Sequence, residues 1–275
     1  MLSTLLALLL FQQSYAQSDY VQVAGASLAA RFASAQQQGS RGADETYWVA
    51  YRLPLRPGIR VNNFDTGGLN ISISSTTNSD GFEWIPDPSD VQRVGVFMMA
   101  RKSDGKIDKA RLINLTQNFR VHDRKVYWIG EPNGNESVEL LNRLVTESPQ
   151  NISPTLMHYM SLNDSPTVTD RLIALARSST ATTELKRNAI SYLGQQANRQ
   201  AGAELLRMTE DPNVEIERQA VVALSRRPDD ESIPALIKIA KEHKEVAIRK
   251  QAITQLGQKR DARVIDFFEQ VLKKK

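Results

Sequence analysis

Leu185-Lys-Arg-Asn-Ala-Ile-Ser-Tyr-Leu-Gly-Gln195, Ile216-Glu-Arg-Gln-Ala-Val-Val-Ala-Leu-Ser-Arg226 and Ile248-Arg-Lys-Gln-Ala-Ile-Thr-Gln-Leu-Gly-Gln258 are three versions of one pattern. Their alanines, Ala189, Ala220 and Ala252, stand 31 and then 32 residues apart, and Leu193, Leu224 and Leu256 keep the same step. A fixed period of this size marks a solenoid, in which each helical unit buries its apolar face only against its neighbours. Such an array offers a binding surface more readily than an enclosed catalytic pocket.

Around these stretches, apolar residues recur at three and four residues, the stripe of amphipathic helices. The spacing predicts helix pairs at about 137–147 with 152–161, 168–178 with 184–195, 202–209 with 214–226 and 231–242 with 245–257, then a last helix at 261–272. Thr167-Val-Thr-Asp170 matches a capping box, and Asp211-Pro212 offers a cap followed by proline at the first helical position. Gly194 and Gly257 end their helices where a residue free to take positive φ is useful.

Upstream the period changes to two. Tyr47, Val49, Tyr51 and Leu53 alternate with Trp48, Ala50 and Arg52, and Leu69, Ile71 and Ile73 alternate with polar residues. Val94–Arg101 and Lys106–Leu115 flank Ser103-Asp104-Gly105, a tight-hairpin signal, and Val126-Tyr-Trp-Ile129 closes the set. These segments predict a small antiparallel sheet of about five strands over 45–130, with Trp48 on the face opposite Tyr47 and Tyr51. Packing is the ordinary use of its aromatics; an outward Trp48 would instead give a stacking platform for a sugar or peptide. Residues 17–44 are poor in large apolar side chains and read as a largely flexible linker around one weak helix, Leu28–Ala35.

Leu5 to Phe11 is an unbroken apolar run followed by Ser14-Tyr15-Ala16, the ending a signal peptidase reads. The run is too short to span a bilayer. It predicts a signal peptide over 1–16 and a periplasmic or secreted protein with no transmembrane segment in the mature chain. Cysteine is absent, which excludes disulfides, thiolate metal sites and a cysteine nucleophile. The net charge of +4 divides evenly: residues 1–135 hold 14 basic and 12 acidic side chains, and 136–275 hold 21 and 19. Neither half carries the concentrated basic excess that nucleic acid requires.

The helix pairs, with Asp211-Pro-Asn-Val214 leading into Glu217-Arg-Gln-Ala-Val-Val-Ala-Leu224 and Ile233-Pro-Ala-Leu-Ile237 opening the next unit, resemble HEAT repeats of the short, bacterial, phycobilisome-lyase-like type. Tyr47-Trp-Val-Ala-Tyr-Arg-Leu-Pro54, Asp104-Gly105 and Val126-Tyr-Trp-Ile129 running into Ser137-Val-Glu-Leu-Leu141 resemble exported bacterial HEAT-repeat domain proteins. Those often carry cysteines in the β-rich part, so no disulfide or metal role carries over to this cysteine-free chain. The resemblance implies an exported scaffold.

No arrangement of acid, base or nucleophile stands out. His122, His158 and His243 are each alone in sequence, with no H-E-x-x-H or G-x-S-x-G, and the Lys- and Glu-rich context of His243 suggests an exposed polar role. One constellation remains. Aligned on the repeat alanines, the second helices carry Lys186-Arg187, Glu217-Arg218 and Arg249-Lys250 at matching places. Stacked helices lie about 8–10 Å apart, so Arg187, Arg218 and Lys250 form a ladder on one face. In HEAT-like solenoids the second helices line the concave binding side, and the ladder would meet an acidic protein surface. The alternative is internal pairing, such as Glu245 with Arg249 four residues on.

The expectation is an α+β protein: signal peptide 1–16, linker 17–44, β-rich domain 45–130 and all-α solenoid 136–275. Its function is non-enzymatic protein–protein interaction or scaffolding, without cofactor or metal, using Arg187, Arg218, Lys250 and Trp48. The alternative is an envelope protein holding a glycan or peptide between the β-domain and the solenoid; a lyase-like enzyme ranks third.

Overall fold

The computed structural model describes residues 20–59, 93–115, 121 and 124–273, and the chain divides into two compact units, Met1–Ser165 and Pro166–Lys275. The signal peptide expected at 1–16, the strand expected at 69–73 and His122 lie outside the described residues.

The first unit is a five-stranded sheet with helices. Its elements are β1 (Val21–Gln22), α1 (Leu28–Ser40), β2 (Thr46–Arg52), β3 (Val94–Arg101), β4 (Ile107–Asn114), β5 (Val126–Trp128), α2 (Gly134–Glu147) and α3 (Ser153–Ser161). The strand order is β1-β5-β2-β3-β4. The β2/β3 and β3/β4 pairs are antiparallel, but β5 runs parallel to both β2 and β1, so the sheet is mixed rather than antiparallel. Alternation tells which face a side chain takes; it does not tell on which edge of β2 the chain returns. It returns beside β2 on the edge away from β3, in the direction of β2.

Residues 20–40, expected as a linker, carry β1 and a well-packed α1. Leu28, Phe32, Ala35 and Gly39 fall on one buried stripe, and the Ser27 hydroxyl caps the helix by accepting from Ala30 N–H at 3.2 Å. The sequence marks this helix only weakly, over Leu28–Ala35, because small residues are what its contact demands: a Cβ on Gly39 would sit 2.4 Å from the Tyr47 ring. The pair α2/α3, expected to open the solenoid, packs instead with the sheet. Tyr51 on β2 and Ser137 on α2 share a buried hydroxyl hydrogen bond of 2.9 Å, and Tyr159 on α3 donates to Ala110 O on β4 at 3.2 Å. The Glu136 carboxylate accepts from Leu28 N–H at the start of α1 and Asn133 N–H at the start of α2, tying the two helix N-termini together.

The second unit is the solenoid: α4 (Thr167–Arg177), α5 (Thr183–Leu193), α6 (Arg199–Met208), α7 (Val214–Ser225), α8 (Asp229–Glu242), α9 (Val246–Leu256) and α10 (Ala262–Lys273). Helices pair as α4/α5, α6/α7 and α8/α9, while α5, α7 and α9 stack as a layer of second helices. Ala189, Ala220 and Ala252 are fully buried in that layer, as are Leu193, Leu224 and Leu256.

The caps differ in detail from the sequence reading. Pro166 stands at the N-cap of α4 with no side-chain hydrogen bond. For α7 the cap is Asn213, whose Oδ1 accepts from Glu215 N–H at 3.0 Å, while Asp211 Oδ1 accepts from Asn213 N–H at 2.8 Å. Gly194 has φ −59°, so positive φ is not its use; a Cβ there would lie 2.5 Å from Ala223 O, and glycine allows that close approach.

Candidate functional site

In a solenoid the side chains between units set the stacking, and those pointing off the stack are free for other contacts. The two classes separate clearly in residues 166–273.

Three polar joints hold successive units. Glu204 on α6, its side chain 3% exposed, accepts from Arg177 on α4 and from Arg207 at 2.8 Å. Arg227, following α7 and 1% exposed at its side chain, donates to Gln196 O, to Asn198 O at 2.9 Å and to the Glu231 carboxylate at 2.8 and 3.1 Å. His243, after α8, is buried rather than exposed as its sequence context suggested. Its Nδ1 accepts from Glu245 N–H at 3.1 Å, which places the ring proton on Nε2, donated to Thr209 O at 2.9 Å. The neighbouring Lys and Glu give no hint of this, because what encloses the ring is Thr209 and Glu217, more than twenty residues away in sequence.

Glu217 on α7 faces the same joint. Its side chain is 2% exposed, with Oε1 3.7 Å from His243 Nε2 and Oε2 buried without a hydrogen-bond partner. Burial pushes this carboxyl above its usual range, with Glu245 and Glu210 adding to the rise and His243 and Lys244 opposing it.

The ladder residues are placed differently. Arg187 on α5, Arg218 on α7 and Lys250 on α9 are all exposed. Arg218 stands 3.8 Å from Glu215, a contact of little energetic weight at this exposure. The internal pairing expected for Arg249 is not with Glu245. Its guanidinium donates to His243 O at 2.6 Å and Lys244 O at 3.0 Å. Val214 and Val246, 43% and 53% exposed, lie four residues before Arg218 and Lys250 and thus on the same helix face. Sequence reasoning missed these valines; their signal was the shared position one turn before each cation.

Trp48 does not join this face. It is 9% exposed in an apolar cluster with Ala50, Phe97, Val126 and Trp128, its ring 6.4 Å from Phe97 and edge-on at 71°. The expected outward face is a second buried face: the five central residues of β2 are all buried, and Trp48 packs in the cluster just described. His158, in α3, is also enclosed, and burial lowers its pKa to about 4, leaving a neutral ring. Among the described residues, no group of three or more His, Asp or Glu is placed to hold a metal ion.

A family model described as HEAT repeats matches residues 169–246. No curated protein matches the chain. Among solved structures, the complex of CpcE and CpcF of phycocyanin lyase from a Nostoc species is similar at 19% identity, over 44% of this chain and 85% of that one, with a TM-score of 0.34. A designed armadillo repeat protein in complex with the peptide (KR)4 is 16% identical over 46% of this chain and 69% of its own, TM-score 0.29. A computationally designed armadillo repeat protein for modular peptide recognition is 18% identical with the same coverage and TM-score. Helix pairs stacked through buried alanines one repeat apart, with a family match that spans α4 to the start of α9, make the C-terminal unit of this chain a HEAT-repeat array.

Proposed function

We propose that the protein is a non-enzymatic interaction module that binds an acidic part of another protein on its second-helix layer. The observation that carries this reading is the exposed column Arg187, Arg218 and Lys250 on three successive stacked helices, with Val214 and Val246 beside the last two. Arginine flanked by apolar side chains is the make-up of an interface centre, where charge selects the partner and desolvated apolar area holds it. Buried Trp48 offers no stacking surface, and nothing else among the described residues favours a glycan site.

The reading also places the protein outside the cytoplasm, in the periplasm or the medium. Its support is the Leu5–Phe11 run with the Ser14-Tyr15-Ala16 ending. No helix among the described residues is long and apolar enough to cross a membrane.

The test is capture from an envelope extract of the host on immobilised protein, compared with the Arg187→Glu, Arg218→Glu, Lys250→Glu triple variant. Loss of the captured partners with an unchanged melting curve is expected, together with weaker capture as salt rises. A folded triple variant that retains the same partners refutes the face. Protein recovered from the host should begin near Gln17; an intact Met1 refutes export.

A further inference from the structure

We infer that the second-helix layer selects an acidic segment in polyproline II conformation, with a carboxylate at every third residue. The inference rests on the cationic-face reading above and specifies its ligand.

Arg187, Arg218 and Lys250 occupy one position of the repeat on α5, α7 and α9, which pack in succession. The axes of adjacent packed helices lie about 8–10 Å apart, so one repeat position recurs at about that step and the column spans about 16–20 Å over two steps. An extended strand turns a side chain to the same face every second residue, about 6.6–6.8 Å, or every fourth, about 13 Å. Neither step matches the column. A polyproline II helix has three residues per turn at about 3.1 Å each, so same-face residues recur every ~9.3 Å and two steps cover ~19 Å. An α-helix with acids seven apart advances about 10.5 Å per step, just beyond the range.

A second column separates the last two. Immediately after each cation comes an amide, Asn188, Gln219 and Gln251, each half-buried at the edge of the exposed face. None of the three side chains has a partner among the described residues. A primary amide offers both donors and an acceptor. An α-helical ligand has already spent its backbone groups internally, whereas polyproline II leaves every C=O and N–H open. The array thus presents, at each rung, a cation for a carboxylate and an amide for the backbone beside it. Arg187 and Lys250 have no ion-pair partner among the described residues, and Arg218 has only the 3.8 Å contact with Glu215.

The test is fluorescence anisotropy at low salt with the full chain and four labelled synthetic peptides, each with three ionisable or neutral marker positions. They are a proline-rich peptide with Glu at every third residue, one with Glu at every second, an alanine-rich helical peptide with Glu at every seventh, and the first peptide with Gln for Glu. The third-residue peptide should bind about three- to tenfold tighter than the second-residue peptide, since a misplaced ligand forfeits two exposed charge pairs. Its binding should vanish in the Arg187→Glu, Arg218→Glu, Lys250→Glu variant. An Arg187→Gln, Arg218→Gln, Lys250→Gln variant serves if the first loses its fold. Separately, Asn188→Ala, Gln219→Ala, Gln251→Ala should weaken the third-residue peptide more than the helical one. Equal binding of both proline-rich acidic peptides overturns the spacing and leaves the cationic-face reading intact. Tightest binding of the helical peptide overturns the conformation. Binding of none of the acidic peptides overturns this inference, and the capture experiment then decides whether the face itself falls with it. Retention of third-residue binding by a folded triple variant places the site elsewhere and overturns it too.

Discussion

Arg227→Ala removes the most heavily used side chain in the array. The guanidinium is 1% exposed and donates to two main-chain carbonyls of the preceding unit, Gln196 O and Asn198 O, and twice to Glu231. Stripping one partner from a fully buried ion pair costs about 3–5 kcal/mol. Glu231 is 34% exposed at its side chain and can rehydrate, which lowers that part of the cost. Asn198 is exposed too, but Gln196 O is not: its bond to Arg227 is buried, and a buried polar group left unsatisfied costs about 1–3 kcal/mol. Together these give a loss of ~2–4 kcal/mol, since water admitted to the vacated space recovers some of the lost bonds. For a unit of this size, that lowers the melting temperature by about 8–16 °C. Arg227→Lys should recover less than half, because one ammonium cannot reproduce a fork aimed at two carbonyls and a carboxylate. Calorimetry measures the shift, and amide exchange at 196–198 and 227–232 should show that the opening is local. A melting temperature within about 2 °C of the parent refutes the joint as a source of stability.

Ala220→Leu should destabilise the array by about 1–3 kcal/mol, because Ala220 is fully buried in the α5–α7–α9 layer; an unchanged denaturation midpoint refutes the close approach. Glu217 gives a pH dependence. With its folded pKa raised above the ordinary 4.5, the folded state holds this proton more tightly than the unfolded state. Stability attributable to it is therefore greatest below about pH 4.5 and falls as pH rises into the shifted range. Glu217→Gln should raise the melting temperature at pH 7 and flatten its decline between pH 4.5 and 7; the same slope in both proteins refutes the assignment.

The repeat register was legible because the alanine and leucine columns report one invariant requirement, close helix approach, at one fixed step. The helix pairs followed from the same columns. What stayed hidden depends on contacts distant in sequence. The parallel return of β5 beside β2 leaves no local mark, since a strand reads alike in either direction. The helix α1 showed only as a weak helix over Leu28–Ala35, since the small residues that let it lie on Tyr47 leave its packing unmarked in sequence. Trp48 alternates as an outward residue would, yet β2 is covered on both faces. For the candidate face, the three cations could be read from the alignment of repeats, whereas the roles of His243 and Glu217 could not. Both sit in charge-rich stretches, and only the stacking of one unit on the next encloses them.

The three polar joints also bear on how the array avoids folding one repeat out of step. Matching alanine and leucine columns would by themselves tolerate a shift of 31 or 32 residues, since each unit offers its neighbour the same apolar surface. The joints differ from one another: a carboxylate between two arginines, an arginine between two carbonyls, an imidazole on a carbonyl. A shifted chain would set Lys186 or Arg249 in the enclosed place of Glu217, and His243 would face a cation instead of a carboxyl. Mismatched burial of this kind is how a sequence excludes its own near-copies. Each unit thus carries an address, written in polar atoms on an otherwise uniform apolar scaffold.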